Sequence, residues 1–357
     1  MNEPENVTVS NSSTPSAPSE AVASNTPETS ASAVRLPFYA PIQEALAETE
    51  RQIQQELSSS QPKLETIFSQ SRLLAGKRLR PALTLLCAQA CGALVPQHIT
   101  CATVMELIHT ASLVHDDVLD EAELRRHNNT INARWDNELA VLFGDLIVSR
   151  AMKLASSLED FQTFNLITRT CEKLCEGELL QVANRGTIDL GEDVYYKIIE
   201  GKTAALIECS CRLGAKYADV APEVVESFGN FGLHLGTAFQ IVDDVLDVSG
   251  SEQTVGKTLG QDIKKQKATL AIIYAMQCIS EQKRSQILAE LQVAENPAEY
   301  ILPWLKRTNA IEFARKAAQT QIDKAIASIQ EFSCPESGAA ALQSLKDLAQ
   351  FVLARKY

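Results

Sequence analysis

Residues 107–126 read LIHTASLVHDDVLDEAELRR, a strongly apolar helical pattern that ends in a group of aspartates. Residues 236–247 read GTAFQIVDDVLD and repeat this arrangement in a second apolar pattern. Both contain the pentapeptide DDVLD, whose aspartates are Asp116, Asp117 and Asp120 in the first copy and Asp243, Asp244 and Asp247 in the second. The repetition predicts one site that is assembled from two apolar helices.

The spacing within each motif brings carboxylates together. Residues four apart on a helix lie on one face, so Asp116 pairs with Asp120 and Asp243 pairs with Asp247. Crowded carboxylates on apolar helices repel each other and lose hydration, which a cation would offset. Mg²⁺ prefers such hard oxygen ligands and completes its shell with water and phosphate. The alternatives, solvated acidic helix ends or a general acid–base pair, do not explain why the motif occurs twice.

The body of the chain has helical periodicity, with apolar residues that recur every three or four positions. Helices are predicted over residues 41–57, 81–91, 99–119, 138–157, 164–184, 193–213, 222–248, 267–291 and 339–355. β-branched alternation with tight Asn-Gly or Asp-Gly turns is missing, so strands have little support. Residues 35–357 are therefore predicted to form one all-α domain, a large single-domain helical bundle.

The first 34 residues differ from this body in composition. They are rich in Ser, Thr, Pro, Asn and Ala, and they contain no Lys or Arg. Such a segment buries too little apolar surface to offset the entropy of ordering, so residues 1–34 are predicted to be a disordered tail. The segment also lacks the basic start and apolar core of a signal peptide and the arginines of a transit peptide.

Overall charge and cysteine usage narrow the classes of function. The net charge of -12 argues against a nucleic-acid partner. The nine cysteines include no CxxC pair, which favours reduced thiols over a zinc site. No apolar run is long enough for a transmembrane segment. We therefore expect a cytoplasmic protein.

Basic residues cluster near the acidic motifs. They are Lys77, Arg78 and Arg80 in AGKRLRP, Arg125 and Arg126 after the first motif, Lys202 in EGKTA, Lys257 in VGKTLG, and Lys267. Arginine binds phosphate oxygens with two parallel hydrogen bonds, and lysine acts as a point charge. Each cation alone is more often a solvated surface residue, whereas two bound diphosphates account for the whole set. A nucleotide-binding P-loop is excluded because VGKT lacks the upstream glycine spacing and strand.

These motifs together resemble the trans-isoprenyl diphosphate synthases, or polyprenyl synthetases, over about residues 38–357. The resemblance is carried by AGKRLRP, ELIHTASLVHDDVLDEAELRR, LFGDLIVSRA, CEGELLQ, GKTAALIE, GTAFQIVDDVLDVSG, VGKTLGQDIKKQKATL and FVLARKY. It implies a helical bundle of the isoprenoid synthase type with a central cavity. Ala75 replaces the first glycine of the usual GGKR, a small change that places little in doubt.

The resemblance also implies a role for each matching residue. The expected Mg²⁺ ligands are Asp116, Asp120 and Asp243, supported by Asp117, Asp244 and Asp247, with Lys202 as a further catalytic residue. The expected contacts to isopentenyl diphosphate are Lys77, Arg80, His109 and Arg126. The expected contacts to the allylic diphosphate are Arg125, Lys202, Thr203, Gln240, Lys257 and Lys267. Gln181 is given a polar supporting role, and His115 is expected to orient the adjacent carboxylates.

The implied reaction is repeated condensation of isopentenyl diphosphate with an allylic diphosphate. Ala111 and Ser112, one turn before Asp116, are small, whereas short-chain relatives commonly carry a bulky aromatic residue there. They therefore predict a tunnel for a long all-trans product, unless their small size serves only close helix packing.

Other functions of the same residue pattern stay open. They are a short-chain (geranylgeranyl or farnesyl) diphosphate synthase, a class I terpene cyclase, and the regulatory subunit of a two-component synthase. The cyclase is disfavoured because its second metal motif is usually a mixed Asn/Ser/Glu pattern, and the regulatory subunit because both motifs are intact. The resemblance further implies a homodimer, and a growing lipid tail predicts transient membrane contact.

Overall fold

The computed structural model describes residues 36–73, 76–92, 94–187, 190–249, 261–265, 267–294 and 297–355. Residues 1–34 lie outside this part of the chain. The division into a disordered tail and an all-α body at residue 35 therefore stays a prediction.

Helices form most of the described chain, which confirms the all-α prediction. In chain order they are α1 (Gln43–Glu56), α2 (Pro62–Leu73), α3 (Leu79–Ala90), α4 (Pro96–Leu119), α5 (Ile131–Arg134), α6 (Asn137–Ser156), α7 (Phe161–Ala183), α8 (Glu192–Ile199), α9 (Ala205–Lys216), α10 (Pro222–Ser249), α11 (Gln261–Lys264), α12 (Leu270–Gln277), α13 (Glu281–Val293), α14 (Pro297–Arg307), α15 (Ala310–Ser328) and α16 (Ala339–Ala354). Smaller elements are 3₁₀ turns at Pro37–Ile42 and Glu336–Gly338, a π-helical turn at Glu200–Ala204, and an antiparallel hairpin of β1 (Leu124–Arg125) and β2 (Asn128–Asn129).

The two longest helices of the described chain, α4 and α10, lie at the centre of the bundle and carry the two DDVLD motifs. Helix α4 packs against α3 and α6, and α10 packs against α9 and α15. Both helices bury side chains on most of their faces, as Val104, Met105, Leu107 and Ile108 show in α4. An all-round apolar surface keeps such a helix inside a bundle. Each acidic motif therefore lies near the C-terminal end of a buried helix.

The core divides into two clusters of buried side chains. One is formed mainly by α3, α10, α12, α15 and α16. The other is formed mainly by α4, α6, α7 and α9, and it lies along the face of α4 that precedes the first motif. The second cluster includes Ala111, so the expected tunnel wall belongs to this part of the core.

The prediction of one helix over residues 267–291 was wrong. Helix α12 ends at Gln277 and α13 begins at Glu281. The hydroxyl of Ser280 accepts a hydrogen bond from the backbone N–H of Lys283 at 3.4 Å and caps the second helix. The apolar periodicity continues across this break, which is why the pattern alone did not reveal it.

Five further helices were not predicted from the sequence, namely α2, α5, α11, α14 and α15. The buried face of α15 consists largely of alanines, namely Ala310, Ala314, Ala318 and Ala325. Alanine gives little contrast in hydropathy, so the periodic signal is weak although the residue favours helix strongly. No helix in the described part of the chain has the length and apolar character needed to cross a membrane.

Candidate active site

The first acidic motif lies where α4 ends. Asp120 is the C-terminal cap, and its backbone N–H donates to the carbonyl of Asp116 at 2.8 Å. The chain then turns through the β1–β2 hairpin, which returns Arg125 to the helix end. Arg125 Nη2 donates to Asp117 Oδ1 at 2.7 Å, and the Asp117 side chain is only 2% exposed. The helix end and the hairpin therefore hold Asp117 in a buried ion pair.

The other two aspartates of the first motif face lysines. Lys202 Nζ lies 3.6 Å from Asp116 Oδ2, while Lys265 and Lys267 lie 3.0 and 3.5 Å from Asp120 Oδ2. Burial raises the pKa of Asp116, and the opposing effect of Lys202 does not cancel it. Burial acts against ionisation of Asp120 as well, but Lys267 and Lys265 outweigh it and lower its pKa.

Lys202 is held by the π-helical turn between α8 and α9, where it also forms an ion pair with Glu178 of α7. The turn packs very closely on α7. A Cβ added to Gly177 would lie 2.5 Å from the backbone nitrogen of Lys202, and one added to Gly201 would lie 2.8 Å from the carbonyl oxygen of Lys173. Both contacts are shorter than atoms allow, so glycine is required at this helix crossing. The predicted helix over 193–213 is thus interrupted at the residues that carry the cation, as is frequent for π turns at functional sites.

The second motif has a different environment. The Tyr195 hydroxyl donates to Asp244 Oδ2 at 2.7 Å, and Gln240 Nε2 donates to Asp244 Oδ1 at 2.8 Å. Thr203 Oγ1 donates to Gln240 Oε1 at 2.7 Å, which fixes the orientation of the amide. Burial, followed by repulsion from Asp262, raises the pKa of Asp244 to about 8 although these hydrogen bonds oppose the change. The central aspartate of the second motif is thus solvated by neutral donors.

The other two aspartates of this motif contact segments from later in the chain. Arg355, directly after α16, places Nη1 2.8 Å from Asp243 Oδ1. The backbone N–H of Asp262 donates to Asp247 Oδ2 at 3.0 Å. The Asp262 carboxylate interacts in turn with Lys267, Lys265 and Asp120.

These interactions join the two motifs at one cavity. Three residues of its lining contact the first motif, namely Arg185, Lys202 and Lys267. The lining also includes Asp244 of the second motif and the nearby polar residues Gln181, Thr203, Gln240 and Asp262. Arg185 lies 3.7 Å from Asp120, and Gln240 bonds Asp244. The two acidic motifs therefore lie on the same side of the bundle and share a polar cavity.

A cluster of basic side chains around His109, here called the basic pocket, lies beside the first motif. Arg126 reaches back over the AGKRLRP loop, because a Cβ on Gly76 would lie 2.6 Å from its guanidinium nitrogens. Burial lowers the pKa of His109 well below its ordinary value, and repulsion from Arg80, Arg126 and two further arginines adds to this effect. Burial also lowers the pKa of Arg80 to about 10, and its Nε is buried without a hydrogen-bond partner. An unpartnered buried guanidinium nitrogen beside other cations fits an anionic ligand.

A match to the polyprenyl synthetase family model covers residues 61–302. The chain belongs to this family. It is 36% identical over 258 residues to the octaprenyl diphosphate synthase of Escherichia coli (strain K12), which covers 71% of this chain and 80% of that one. The assignment of the chain as a trans-isoprenyl diphosphate synthase is therefore confirmed.

Solved structures of polyprenyl synthetases have the same fold. A decaprenyl diphosphate synthase from Rhodobacter capsulatus superposes with a TM-score of 0.83 at 31% identity, covering 90% of this chain and 99% of that one. A polyprenyl synthase from Caulobacter crescentus, complexed with calcium and isoprenyl diphosphate, gives 0.81 at 29% identity, covering 90% and 97%. The predicted isoprenoid synthase bundle is confirmed.

The metal ligands expected in a polyprenyl synthetase are not brought together into a closed cage. Within the described ranges, no three His, Cys, Asp or Glu side chains converge on one point. Asp116, Asp120 and Asp243 instead face Lys202, Lys265 and Arg355. This donor set still fits Mg²⁺, which takes one or two carboxylates per ion and fills its shell with water and phosphate. Burial raises the pKa of Asp116, so a bound cation would favour the ionised form of this carboxylate.

Most of the substrate residues expected from the polyprenyl synthetases lie at the two pockets. Lys77 is exposed, and its carbonyl accepts a hydrogen bond from the Tyr39 hydroxyl at 3.1 Å. Ala111 is buried in the core, while the partly buried Ser112 donates to the His109 carbonyl at 2.8 Å. Lys257 and Ala75 lie outside the described residues.

The expectation that His115 orients the acidic motif was wrong. Its Nε2 lies 3.2 Å from the carbonyl oxygen of Val141 and 3.4 Å from Asp145, both in α6. The ring packs so closely on Gly144 that an added Cβ would lie 2.2 Å from Nε2. His115 therefore joins α4 to α6, and its described contacts are with α6 and not with the aspartates of the motif.

Several residues of the site were not found from the sequence. They are Glu178, Arg185, Tyr195, Asp262, Lys265 and Arg355. Four of them, Glu178, Asp262, Lys265 and Arg355, lie within the motifs CEGELLQ, GQDIKKQKATL and FVLARKY, to which the sequence assigned no role at these positions. Tyr195 had no such signal, because a tyrosine on a helix is more often a core residue than a partner of an aspartate.

Proposed function

We propose that the protein is a Mg²⁺-dependent trans-prenyltransferase that condenses isopentenyl diphosphate with an allylic diphosphate to make a long-chain all-trans polyprenyl diphosphate. The proposal rests on one observation: Asp244 lines the same cavity as Lys202 and Lys267, which contact the first motif, and a cluster of arginines lies beside that motif. Two anion sites next to each other are what a reaction between two diphosphates requires.

The allylic diphosphate is assigned to the cavity between the motifs. Asp116, Asp120 and Asp243 would hold Mg²⁺, which supplies positive charge for the departing diphosphate. Lys202 and Lys267 lie close to the first motif and supply further positive charge. Thr203 and Gln240 line the same cavity and orient the substrate by hydrogen bonds.

Isopentenyl diphosphate is assigned to the basic pocket. Arg80, Arg126 and Lys77 supply the charges that bind its diphosphate, and the side chains of Lys77 and Arg126 are exposed at the mouth. His109 is neutral at physiological pH, because burial and the nearby arginines lower its pKa. It therefore acts through hydrogen bonding, and it does not add charge.

In the proposed reaction the allylic C–O bond breaks and the diphosphate leaves with the bonding electrons. Cations fixed before the reaction stabilise this developing charge without reorganisation. The double bond of isopentenyl diphosphate attacks the allylic carbon and forms the new C–C bond. A proton then passes from the adjacent carbon to the released diphosphate, which restores a double bond and leaves an allylic diphosphate one unit longer.

We assign a long chain to the product because the side chains of α4 are small where the growing tail would begin. Ala111 is 1% exposed and Ser112 is partly buried, one turn before the motif. Further along this face come Ile108 and Val104 in the second core cluster. At about 5 Å of depth per helical turn, the geometry suggests about six to ten isoprene units.

The decisive experiment is product analysis from the purified protein. The protein is incubated with labelled isopentenyl diphosphate, farnesyl diphosphate and Mg²⁺, and the dephosphorylated products are separated by chain length. Long all-trans polyprenols are expected from this chain alone. Products of three or four units would support a short-chain synthase, cyclic hydrocarbons a terpene cyclase, and activity only with a second subunit a two-component enzyme.

The chain-length assignment has a matched pair of variants. Ala111→Phe should shorten the product by several units because the ring blocks the wall of α4. Ala102→Phe is the control, since Ala102 is equally buried on the opposite face of α4 and belongs to the other core cluster. Unchanged product length in Ala111→Phe would contradict this wall, and equal shortening in both variants would indicate general damage to the helix.

A homodimer is the proposed assembly. Val141 and Leu142 on α6, and Leu179 and Val182 on α7, are apolar side chains exposed by 41%, 61%, 68% and 39%. Neighbouring exposed apolar side chains of this size fit a protein partner. Light scattering on the wild type and on Leu142→Asp would test this, since a monomeric wild type contradicts it.

Transient contact of the product tail with membranes and a cytoplasmic location complete the proposal.

A further inference from the structure

Arg78 lies between the two basic residues assigned to isopentenyl diphosphate, yet its side chain points away from solvent. Its Nε and Nη2 donate to the two carboxylate oxygens of Glu50 at 2.7 and 2.9 Å, and its Nη1 donates to Glu106 Oε1 at 2.8 Å. The Arg78 side chain is 10% exposed. All three of its nitrogens are thus engaged by carboxylates from α1 and α4. Arg78 is therefore unsuited to bind a diphosphate.

The backbone at Arg78 is held in an unfavourable conformation. Its φ of 54° and ψ of 39° are left-handed, and the residue is the N-terminal cap of α3. Such a conformation is unfavourable for a residue with a side chain. The two ion pairs offset this strain and fix the direction in which the chain enters α3. Lys77 and Arg80 flank the strained residue, so their positions depend on it.

Glu106 connects this ion-pair cluster to the basic pocket. Its side chain is 4% exposed, and Oε2 is buried without a hydrogen-bond partner. Its charge acts on Arg80 and Arg126 as well as on Arg78. It lies one turn before His109 on α4. The free oxygen of Glu106 therefore faces an environment made positive by the arginines of the pocket.

We propose that Glu50 and Glu106, acting through Arg78, are positioning residues that fix Lys77 and Arg80 for the diphosphate of isopentenyl diphosphate. This inference rests on the proposed function. Arg78 anchors the AGKRLRP loop. The second carboxylate oxygen of Glu106 provides negative charge that reduces the repulsion between Arg80 and Arg126 before the substrate binds. None of the three residues contacts the substrate.

Glu50→Gln tests the positioning role with least change to the charge of the pocket, since Glu50 bonds Arg78 from the far side. It should raise the KM for isopentenyl diphosphate about fivefold or more. The KM for the allylic diphosphate and kcat at saturation should stay within about twofold. Glu106→Gln should raise the same KM about tenfold, because misplaced contacts outweigh the gain of one net positive charge.

Arg212 offers a matched control for a purely structural effect. It too lies between two glutamates, with Nε donating to Glu208 at 2.9 Å and Nη1 to Glu226. Glu226 is near the start of α10, seventeen residues and about 25 Å along the helix from the second motif. Glu226→Gln should leave both KM values unchanged. Urea unfolding midpoints of all variants show whether a change in KM comes from a loss of folding. Glu50→Asp is the conservative replacement, and it should regain part of the affinity for isopentenyl diphosphate.

Each outcome has a clear meaning. A wild type without turnover would overturn the proposed function itself. With an active wild type, equal changes in both KM values, or a change in kcat alone, would overturn the positioning role. A lower KM for isopentenyl diphosphate in Glu106→Gln would show that Glu106 only repels the substrate, and would overturn it too. If Glu106→Gln fails to fold, Glu50→Gln and direct titration of that variant with isopentenyl diphosphate decide the question.

Discussion

The two DDVLD motifs have the same five residues, but their charges are balanced in different ways. In the first motif every aspartate faces a cation, with Asp117 bonded to Arg125 and the others close to lysines. In the second motif the central residue, Asp244, is bonded only by the neutral groups of Tyr195 and Gln240 among its described hydrogen bonds. The two copies of the pentapeptide therefore differ in their electrostatic surroundings, because different helices and loops pack around them.

This difference suggests a division of roles. A cation faces every aspartate of the first motif, whereas in the second motif burial and repulsion from Asp262 raise the pKa of Asp244 to about 8, and its described hydrogen-bond partners are neutral. A divalent ion would therefore relieve more unfavourable charge at the second motif than at the first. Four measurements test this difference between the motifs.

The largest effect is expected on turnover when the outer aspartates are removed. Asp116→Ala and Asp243→Ala should each lower kcat by at least about a hundredfold, because each removes an assigned ligand of Mg²⁺. Steady-state assays with both substrates and saturating Mg²⁺ measure this. Asp193→Ala, in the exposed first turn of α8, is the control and should stay within about twofold of the wild type. Wild-type turnover in either motif variant would refute the metal assignment.

The central aspartates should differ in their effect on folding. Asp117→Asn removes the charge that holds the partly buried Arg125 and should lower the free energy of unfolding by about 3 kcal/mol. At pH 6, Asp244→Asn should change it by less than about 1 kcal/mol, because the raised pKa keeps Asp244 protonated and its partners Tyr195 and Gln240 are neutral. Urea unfolding in EDTA compares the two. Equal losses would mean that the motifs are electrostatically alike.

The pH dependence of stability should sharpen the same contrast. An acid whose pKa is raised on folding binds more protons in the native state, so its contribution to stability is present below the unfolded pKa near 4 and is lost as the pH rises towards 8. For Asp244 this predicts a loss of about 2 kcal/mol between pH 6 and pH 8 in EDTA. Asp244→Asn should lack this loss. The same slope in wild type and variant would assign it to another group.

The smallest effect concerns cations that compete with Mg²⁺. Arg355→Ala removes a guanidinium 2.8 Å from Asp243, whereas Lys265→Ala leaves Lys267 close to Asp120. The apparent affinity for Mg²⁺ should therefore rise a few-fold in Arg355→Ala and about twofold at most in Lys265→Ala. Titration of Mg²⁺ against turnover gives both values. A larger gain in Lys265→Ala would reverse the proposed order of the motifs.

Much of this architecture could be predicted from local sequence. The buried helices that carry Asp116 and Asp243 follow from apolar periodicity, and the two-motif site follows from repetition of DDVLD. The break at Ser280 could not be predicted, because a single cap interrupts a pattern that otherwise continues. The alanine face of α15 gave too little contrast in hydropathy to be recognised.

The roles of individual cations were harder to predict than the site. Arg78 and Arg80 are equivalent in AGKRLRP, but only the fold shows that Arg78 is enclosed by Glu50 and Glu106. Tyr195 acquires its role from a partner 49 residues away. Such pairings depend on which helices cross, and helical periodicity contains no information about that.

The glycine contact between Gly177 and the π turn has a consequence for how the enzyme can vary. The backbone of α7 packs directly on the π turn that carries Lys202. The position of Lys202 is therefore fixed by packing within the bundle and not by a surface loop. Ala111, a residue of the proposed tunnel, lies on α4, so its exchange should leave this anchor in place. Substitutions that change product length can thus leave the position of Lys202 unchanged, and the same fold can yield chains of many lengths.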